Sequence, residues 1–194
     1  MVGSDRSSGY AWLDEAYRQV CWAHLKRDFA SLVDRGGQAK AVGTAALALI
    51  HELFATWHAY RDGTLDRAGL QVAMQPVQDA FHARLTTGSR GKDPKAATLC
   101  HSLDRLWPAL WTFVDEPGVE PTNNAAERAL RPAVLWRKGS YGTQSDTGSH
   151  FVERLLTVAA TCRQQGRPVL AYLIDVCTAT QRGLPAPSLV PVTA

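Results

Sequence analysis

The segment VGTAALALIHELFATWHAY, residues 42–60, decides the fold class of this chain. Its apolar residues recur at three- and four-residue steps, through Val42, Ala46, Leu49, Leu53, Trp57 and Tyr60. Steps of this size place side chains on one face of an α-helix. A second stripe with the same spacing consists of Leu99, Leu103, Leu106, Leu110 and Phe113. The sequence therefore predicts a mainly α-helical fold.

Glycine and proline residues predict where these helices begin and end. Asp62-Gly63 ends the first long helix. Pro76 predicts that the next helix, about residues 65–85, is either kinked or divided into two. Pro108 predicts a second kink in the helical region that follows.

The two ends of the chain differ from this helical middle. Near the N-terminus, residues 9–17 are compatible with a helix, and residues 18–22 are predicted to form a short strand. Near the C-terminus, two helices are predicted, about residues 149–165 and 168–182. The tail of residues 184–194 is rich in proline and is predicted to be disordered.

Composition limits the class of protein. At 194 residues the chain is long enough for one domain with a hydrophobic core. Apolar residues make up 45% and charged residues 20%, which excludes wholesale disorder. The sequence has no apolar run of membrane-spanning length and no signal-peptide pattern. The four cysteines form no C-x-x-C pair, which favours reduced thiols and a cytoplasmic location with no membrane partner.

The segment PTNNAAERALRP, residues 121–132, is the richest in groups that can carry chemistry. An Asn at a helix start can accept the free backbone N–H groups of the first turn, so a short helix is expected to begin here. We expect it to end at Arg131, because Pro132 disfavours helical backbone in the residue before it. Glu127 lies three residues after Asn124, where its side chain can reach back to the cap or project into a site.

Positive charge is concentrated around Glu127. The whole chain carries a net charge of only +3. Residues 121–140 contain Glu127 as their single carboxylate and four cations, Arg128, Arg131, Arg137 and Lys138, the last two on a predicted glycine-rich loop. Metal-dependent phosphoryl transfer on DNA needs such a setting, because carboxylates hold Mg²⁺ and cations hold phosphates. The alternative for the same residues is a capping box with a surface Glu–Arg pair.

Asp5 is the second candidate carboxylate. It follows a short apolar lead-in and precedes the turn-like run Arg6-Ser7-Ser8-Gly9. Open α/β sheets place functional groups at the carboxyl ends of their strands. Alternatively, a lone Asp before a Ser/Gly turn is a loop residue or a helix cap.

Two further features give weaker signals. Cys21 and His24 have the spacing of half a zinc site, which Cys100-His101 could nominally complete, but adjacent side chains on a helix point apart. Structural packing of Cys21 and His24 is favoured over zinc binding. Trp136, beside Arg137-Lys138, is the tryptophan best placed in the sequence to stack on a base.

Taken together, these segments resemble the insertion-sequence 66 family of bacterial transposases. The likeness is carried by Ser4-Asp5-Arg6 with Gly9-Tyr10, by CWAHLKRDF at residues 21–29, and by EPTNNAAERALRP at residues 120–132 followed by Trp136-Arg137-Lys138. The order and spacing of these segments agree with the family from about residue 3 to residue 180.

The resemblance implies an RNase H-like catalytic core with an Asp, Asp, Glu triad that binds two divalent ions, Mg²⁺ or Mn²⁺. Asp5 matches the second aspartate and Glu127 the glutamate, and the helices of residues 25–114 form an insertion between them. The residues expected to contact DNA are Asn123, Asn124, Arg128, Arg131, Trp136, Arg137 and Lys138. The implied function is cleavage and strand transfer at transposon ends, with double-stranded DNA as partner and a homo-oligomer as a further option.

The family pattern carries its first aspartate on a strand upstream of the second, and this chain begins four residues before Asp5. We therefore expect residues 1–183 to form an incomplete catalytic domain that is weak or inactive alone. One alternative is a non-catalytic DNA-binding remnant or regulator that uses the same basic patch. Another is a helical module whose apolar faces pair with a partner or a second copy.

Overall fold

The structure is a computed structural model that describes residues 1–190. Over these residues the chain forms eight α-helices and two short β-strands. It divides into two compact units, Met1–Ala125 and Ala126–Ala194. The mainly helical fold that the apolar spacing predicts is confirmed.

The strands are β1 (Val2–Ser4) and β2 (Arg18–Val20). The helices are α1 (Trp22–Arg35), α2 (Gly37–Arg61), α3 (Arg67–Ser89), α4 (Pro94–Arg105), α5 (Trp107–Asp115), α6 (Asn124–Ser140), α7 (Asp146–Gln164) and α8 (Val169–Gln181). None of the helices within residues 1–190 is both long enough and apolar enough to cross a membrane.

The two strands form a parallel pair, in which Val2 is opposite Arg18 and Ser4 is opposite Val20. Parallel strands need a connection of about a dozen residues, which residues 5–17 provide here. This connection contains two short 3₁₀ turns, Ser8–Tyr10 and Glu15–Tyr17, so the compatibility of residues 9–17 with an α-helix is not realised. The predicted strand of residues 18–22 is confirmed only as far as Val20.

The side chain of Gln19 joins this strand pair to α5. Gln19 is fully buried, and its Nε2 donates a hydrogen bond to the carbonyl of Leu110 at 3.0 Å. Its Oε1 accepts a hydrogen bond from the backbone N–H of Phe113 at 2.8 Å. Thr112 adds a third link, because its hydroxyl donates to the carbonyl of Arg18 at 2.7 Å. A buried amide is tolerated at Gln19 because its polar atoms meet backbone partners.

The core of the first unit is aromatic and connects helices that are distant in sequence. Trp22 of α1 lies with its ring centroid 5.1 Å from Phe81 of α3 and 5.0 Å from Trp111 of α5. Phe81 also makes an edge-to-face contact with Phe29, at 5.9 Å. Trp22 is additionally fixed by the hydrogen bond that its Nε1 donates to the carbonyl of Leu110. Such edge-on geometry is the preferred arrangement of aromatic pairs.

The structure tests three predictions about proline. α3 continues through Pro76 as one helix, so of the two alternatives, a kinked or a divided helix, the divided helix is wrong. Pro108 lies in the first turn of α5, where its missing N–H has no helical acceptor to lose, and so α4 and α5 are separate helices. α6 continues through Pro132 to Ser140, so the prediction that it ends at Arg131 is wrong.

The continuation of α6 through Pro132 has a physical reason. Proline inside a helix costs about 3 kcal/mol because it removes one hydrogen bond and crowds the preceding turn. Here the flanking residues are mostly strong helix formers, and both Arg128, whose carbonyl loses its donor, and Pro132 are exposed to water. Arg137 and Lys138 therefore lie in the last turn of α6 and not on a glycine-rich loop.

The second unit has a much smaller interior. Among residues 126–190, only Cys162 of α7 and Tyr172 of α8 are buried. The predicted helices of residues 149–165 and 168–182 are present, although α7 begins earlier because the hydroxyl of Ser145 caps it by accepting from the N–H of Gly148.

The tail that was predicted to be disordered is described as far as residue 190. Residues 184–190 form no helix or strand, but the carbonyls of Pro187 and Leu189 accept hydrogen bonds from Tyr172 and Gln165. Residues 191–194, the rest of this predicted tail, lie outside the described residues.

Replacing Gly43 by Ala is expected to destabilise the first unit by about 1–3 kcal/mol, because overpacking a tight helix contact has costs of this size. A Cβ at Gly43 would lie 2.6 Å from the carbonyl oxygen of Phe29 and 2.9 Å from Val33 Cγ2, so α1 and α2 would have to separate. Denaturant unfolding measures the change. Thr44→Ala, at an exposed position on the same helix, is the control, and equal stabilities of the two variants would contradict this packing.

Replacing Gln19 by Leu is expected to cost about 1–3 kcal/mol. The substitution removes the buried side-chain partner of the Phe113 N–H, and such a loss costs about 1–3 kcal/mol, whereas the carbonyl of Leu110 keeps the hydrogen bond from Trp22. Gln71→Leu is the matched control, because Gln71 is exposed and makes one hydrogen bond, to Asp115. An unfolding free energy of Gln19→Leu close to that of the control would show that the buried amide does not join β2 to α5.

Candidate metal and nucleic-acid site

Asp5 directly follows β1 and is half-buried. Its Oδ1 accepts a hydrogen bond from the backbone N–H of Ser7 at 3.0 Å, which closes a tight turn after the strand. Within residues 1–190, Oδ2 of Asp5 has no recorded hydrogen bond or ion pair. The expected position of Asp5, at the carboxyl end of a strand, is therefore what the structure shows.

A buried arginine holds the backbone at Asp5. Arg18 of β2 is only 4% exposed, and its Nε donates to the hydroxyl of Ser4 at 2.8 Å. Its Nη2 donates to the carbonyl of Asp5 at 2.6 Å. The guanidinium also lies over the ring of Tyr10, 5.7 Å from its centroid. These contacts fix the end of β1 and the backbone of Asp5.

Pro121 and the Thr-Asn-Asn motif that follows it, residues 122–124, begin the segment of residues 121–132, and residues 121–123 pack against the same strands. The carbonyl of Pro121 accepts a hydrogen bond from the N–H of Trp22 at 2.9 Å, and Cys21 in turn donates to the carbonyl of Ser4 at 2.8 Å. The N–H of Asn123 donates to Sγ of Cys21 at 3.4 Å. Gly3 of β1 also lies beside Asn123, since a Cβ at Gly3 would be 3.6 Å from the Asn123 Cβ. Residues 121–123 therefore lie next to the strand that ends before Asp5.

Asn123 has an unusual side chain. Its Oδ1 is buried and accepts no hydrogen bond from any residue that the structure describes. The expectation that an Asn here accepts the first-turn N–H groups is therefore not met by Asn123. A buried polar atom without a partner costs about 1–3 kcal/mol, which makes it a candidate for binding a ligand.

Glu127 lies in the first turn of α6, three residues after the helix begins at Asn124. The residue is exposed. Asp5 belongs to the first unit and Glu127 to the second. Within residues 1–190, no three His, Cys, Asp or Glu side chains are grouped closely enough to hold a metal ion by themselves.

The four predicted cations are exposed on α6. No ion pair joins Arg128, Arg131, Arg137 or Lys138 to another described residue. At about 100° per residue, Arg131 and Lys138 lie within about 40° of Glu127 around the helix axis. Trp136, which is 38% exposed, lies about 180° from Glu127, so base stacking by Trp136 stays a prediction that needs a different face of the helix.

The four candidate zinc ligands differ in burial and chemistry. Burial raises the pKa of the Cys100 thiol to about 11, which keeps it protonated at neutral pH, whereas a zinc ligand must be a thiolate. His101, its neighbour, is exposed. Cys21 is buried and accepts the hydrogen bond from Asn123. Structural packing of Cys21 accounts for these contacts.

Sequence reasoning missed the site contacts of three residues, Arg18, Gly3 and Cys21, although Cys21 was considered for packing and for zinc binding. Arg18 was not recognised because a strand of three residues gives no measurable alternation of polar and apolar positions. Gly3 and Cys21 matter through their contacts with Asn123, 120 and 102 residues away in sequence, which no local pattern reveals. Once β1 and β2 are paired, Arg18 lies opposite Val2 of the strand that leads to Asp5. This pairing is the signal that could have found Arg18.

Comparison with known families identifies the chain. Residues 1–151 match the family described as Transposase IS66 family. The chain belongs to this transposase family. The match includes Asp5, Glu127 and every residue that was predicted to contact DNA, and it supports a role related to transposition.

The curated relatives of this transposase-family chain are longer proteins. The uncharacterized protein y4qI of Sinorhizobium fredii (strain NBRC 101917 / NGR234) is 30% identical over 173 residues, which cover 86% of this chain and 31% of the relative. The uncharacterized protein y4hP of the same strain is 29% identical over 171 residues, with 80% and 31% covered. The chain thus spans about a third of the length of these relatives. No solved structure matches it.

Replacing Asn123 by Leu is expected to raise the free energy of unfolding by about 1–2 kcal/mol, because it removes a buried oxygen that has no partner. Thermal unfolding in metal-free buffer measures the change. Asn124→Leu is the control, since Asn124 has no buried oxygen of this kind among the described residues. A loss of stability in Asn123→Leu would mean that the oxygen of Asn123 makes a stabilising contact in the folded chain.

Proposed function

We propose that this chain supplies part of the catalytic site of a DNA transposase, with Asp5 and Glu127 as ligands of divalent metal ions. The observation that carries the proposal is the contact between the Thr-Asn-Asn motif and the end of β1. Asn123 lies beside Gly3 and donates a hydrogen bond to Cys21, next to the strand that leads to Asp5. A motif of the transposase family and a candidate catalytic aspartate therefore meet at one strand end.

The RNase H-like core is part of this proposal. Its support is the parallel pairing of β1 and β2, with Asp5 at the carboxyl end of β1. Parallel strands occur almost only in sheets that are covered on both faces, so a two-stranded parallel pair is a natural part of a larger sheet. We assign the third carboxylate of the implied triad to no residue of this chain. Two carboxylates hold an ion weakly, so we expect this chain alone to act slowly on DNA.

The donor atoms fit a hard divalent ion such as Mg²⁺ or Mn²⁺. Oδ2 of Asp5 and Oδ1 of Asn123 are oxygen atoms without a hydrogen-bond partner among the described residues, and Mg²⁺ takes oxygen ligands. Asp5 and Glu127 would hold the metal, and Asn123 would orient a ligand at the same strand end. The metal, when bound, supplies activation of the attacking oxygen and stabilisation of the leaving oxygen. Arg18 keeps the Asp5 backbone in place.

The basic side chains supply the contacts with DNA. Arg128, Arg131, Arg137 and Lys138 are exposed, and among the described residues they have no competing carboxylate partner. Cations of this kind gain affinity for double-stranded DNA by neutralising phosphates and releasing counterions. Arg131 and Lys138 share a face with Glu127, so phosphates bound there would lie along the carboxylate. The proposed DNA partners are transposon ends and target DNA.

The test is Mn²⁺ binding to the full chain, followed by electron paramagnetic resonance, with plasmid nicking as a second readout. Asp5→Asn and Glu127→Gln are each expected to weaken Mn²⁺ binding by about tenfold or more, because even the loss of a residue that only supports a metal ligand costs about that much. Any Mn²⁺-dependent nicking should disappear in the same two variants.

Matched controls are available for both substitutions. Asp14→Asn changes an aspartate in the same kind of turn, since Asp14 Oδ1 accepts from the N–H of Ala16 at 2.9 Å. Glu52→Gln changes an exposed glutamate on α2. Mn²⁺ affinity that falls equally in the controls, or nicking that survives Glu127→Gln, would refute the assignment of the metal ligands.

A non-catalytic DNA-binding regulator is the second candidate function. The observation that favours it is the set of exposed cations on α6, which binds phosphate with or without a metal. This candidate predicts DNA binding that is sensitive to salt but indifferent to Mn²⁺ and to Glu127→Gln. The Mn²⁺ experiment therefore separates the two functions.

A further inference from the structure

A groove along α4 lies near Asp5 and is not used by the proposed function. One part has a volume of about 500 Å³ and is lined by the loop after Asp5 and by α4. A second part of about 430 Å³ continues along α4 towards α1. The two parts share Arg6, Thr98 and Ser102, so they form one continuous groove, which we call the α4 groove.

One face of α4 is polar along its whole length. Lys95, Thr98, Ser102 and Arg105 recur at three- and four-residue steps and line the groove. The rest of the helix is buried in the core through Ala96, Leu99, Cys100 and Leu103. A helical stripe from Lys95 to Arg105 is about 15 Å long, which is about four nucleotides of one DNA strand at 3.4 Å each.

The groove carries positive charge that its own acids do not neutralise. Four cations line it, Arg6, Arg18, Lys95 and Arg105, against two carboxylates, Glu15 and Asp28, which leaves a surplus of two positive charges. Arg6 is paired with Asp28 at 2.7 Å and Arg18 is fixed to Ser4 and Asp5. Lys95 and Arg105 are exposed, and no ion pair joins either of them to another described residue.

Hydroxyl groups line the groove together with these cations. Ser7, Ser8, Thr98 and Ser102 all line the groove. Hydroxyls, lysines and arginines are the side chains that bind phosphate oxygens of DNA without reading the bases. The mixture therefore suits a repeating phosphate backbone better than a simple acidic side chain, which offers no sugar oxygens to the hydroxyls.

We propose that the α4 groove binds the sugar–phosphate backbone of a DNA strand and leads it to Asp5. The groove begins beside the candidate metal ligand, because Ser7 of its lining donates to Asp5 Oδ1 and Arg18 holds the Asp5 carbonyl. Arg105 and Lys95 contact phosphates. Arg6 lines the groove and is held in place by its ion pair with Asp28. The part of this inference that leads the strand to Asp5 rests on the proposed function. The part that assigns DNA binding to the groove rests only on the charges and hydroxyls that line it.

The test measures binding of a short fluorescein-labelled DNA duplex to the full chain by anisotropy, in metal-free buffer over a series of salt concentrations. The double variant Lys95→Gln/Arg105→Gln is expected to bind about tenfold more weakly and to lower the slope of log affinity against log salt by about two. The control is Lys40→Gln/Arg84→Gln, which removes the same charge from exposed positions outside the groove. The control is expected to stay within about twofold of the parent chain.

Equal effects of the two double variants would overturn the proposal, since the groove would then contribute only net charge. Binding of polyglutamate that depends on Lys95 and Arg105 as strongly as DNA binding does would also overturn it, in favour of an acidic protein partner. Asp5→Asn tests the metal site separately, because it should weaken Mn²⁺ binding by about tenfold or more, whereas the groove is tested by the metal-free DNA affinity of the two double variants. A groove effect without Mn²⁺ binding would refute only the metal site, and Mn²⁺ binding without a groove effect would refute only the groove.

Discussion

The buried side chain of Gln19 is the connection on which the first unit depends. A parallel pair of two three-residue strands has few hydrogen bonds of its own, and two-stranded units are at best marginally stable in isolation. Gln19 extends this pair sideways into α5, by hydrogen bonds to Leu110 and Phe113. The aromatic core around Trp22 then anchors α5 to α1 and α3. The position of Asp5 is therefore set by contacts with helices from the far end of the unit, and only in part by the strand that precedes it.

The helical part of the fold was predictable because its signal is local. The apolar stripe within residues 42–60 predicts α2. Each residue of the stripe is either buried in the core or packed against it. Proline was the weakest guide, since its effect depends on what surrounds it. Pro108 divides two helices, whereas Pro132 lies within an exposed helix whose flanking residues strongly favour the helical backbone. The two prolines also differ in cost, because Pro108 lies in a first turn, where no hydrogen bond is lost, whereas Pro132 lies inside a helix and its cost is offset by its neighbours.

The candidate residues could be chosen from the sequence, but their arrangement could not. Asp5 and residues 121–132 were chosen because they resemble segments of the transposase family, since by residue type alone each also fits a helix cap or a turn. The approach of Asn123 to β1 could not, because it brings Asn123 beside Gly3 and the sulfur of Cys21, both distant in sequence. The role of Arg18 is also non-local, since it depends on the pairing of β1 with β2. Local patterns thus predict chemistry, whereas the placement of that chemistry depends on long-range packing.

The two units differ in a way that suits binding of a charged polymer. The first unit has a packed core and can hold Asp5, Arg18 and the α4 groove in fixed positions. In the second unit, among residues 126–190, the side chains of α6 are exposed, and its cations have no carboxylate partner there. Unpaired cations on an exposed helix can adjust to the varying path of a phosphate backbone, whereas a metal ligand must be held rigidly. The buried oxygen of Asn123 has no partner among the described residues, and this lowers the stability of the folded chain. Such a loss of stability is typical of sites that bind a ligand, because the unpaired oxygen is a preformed acceptor.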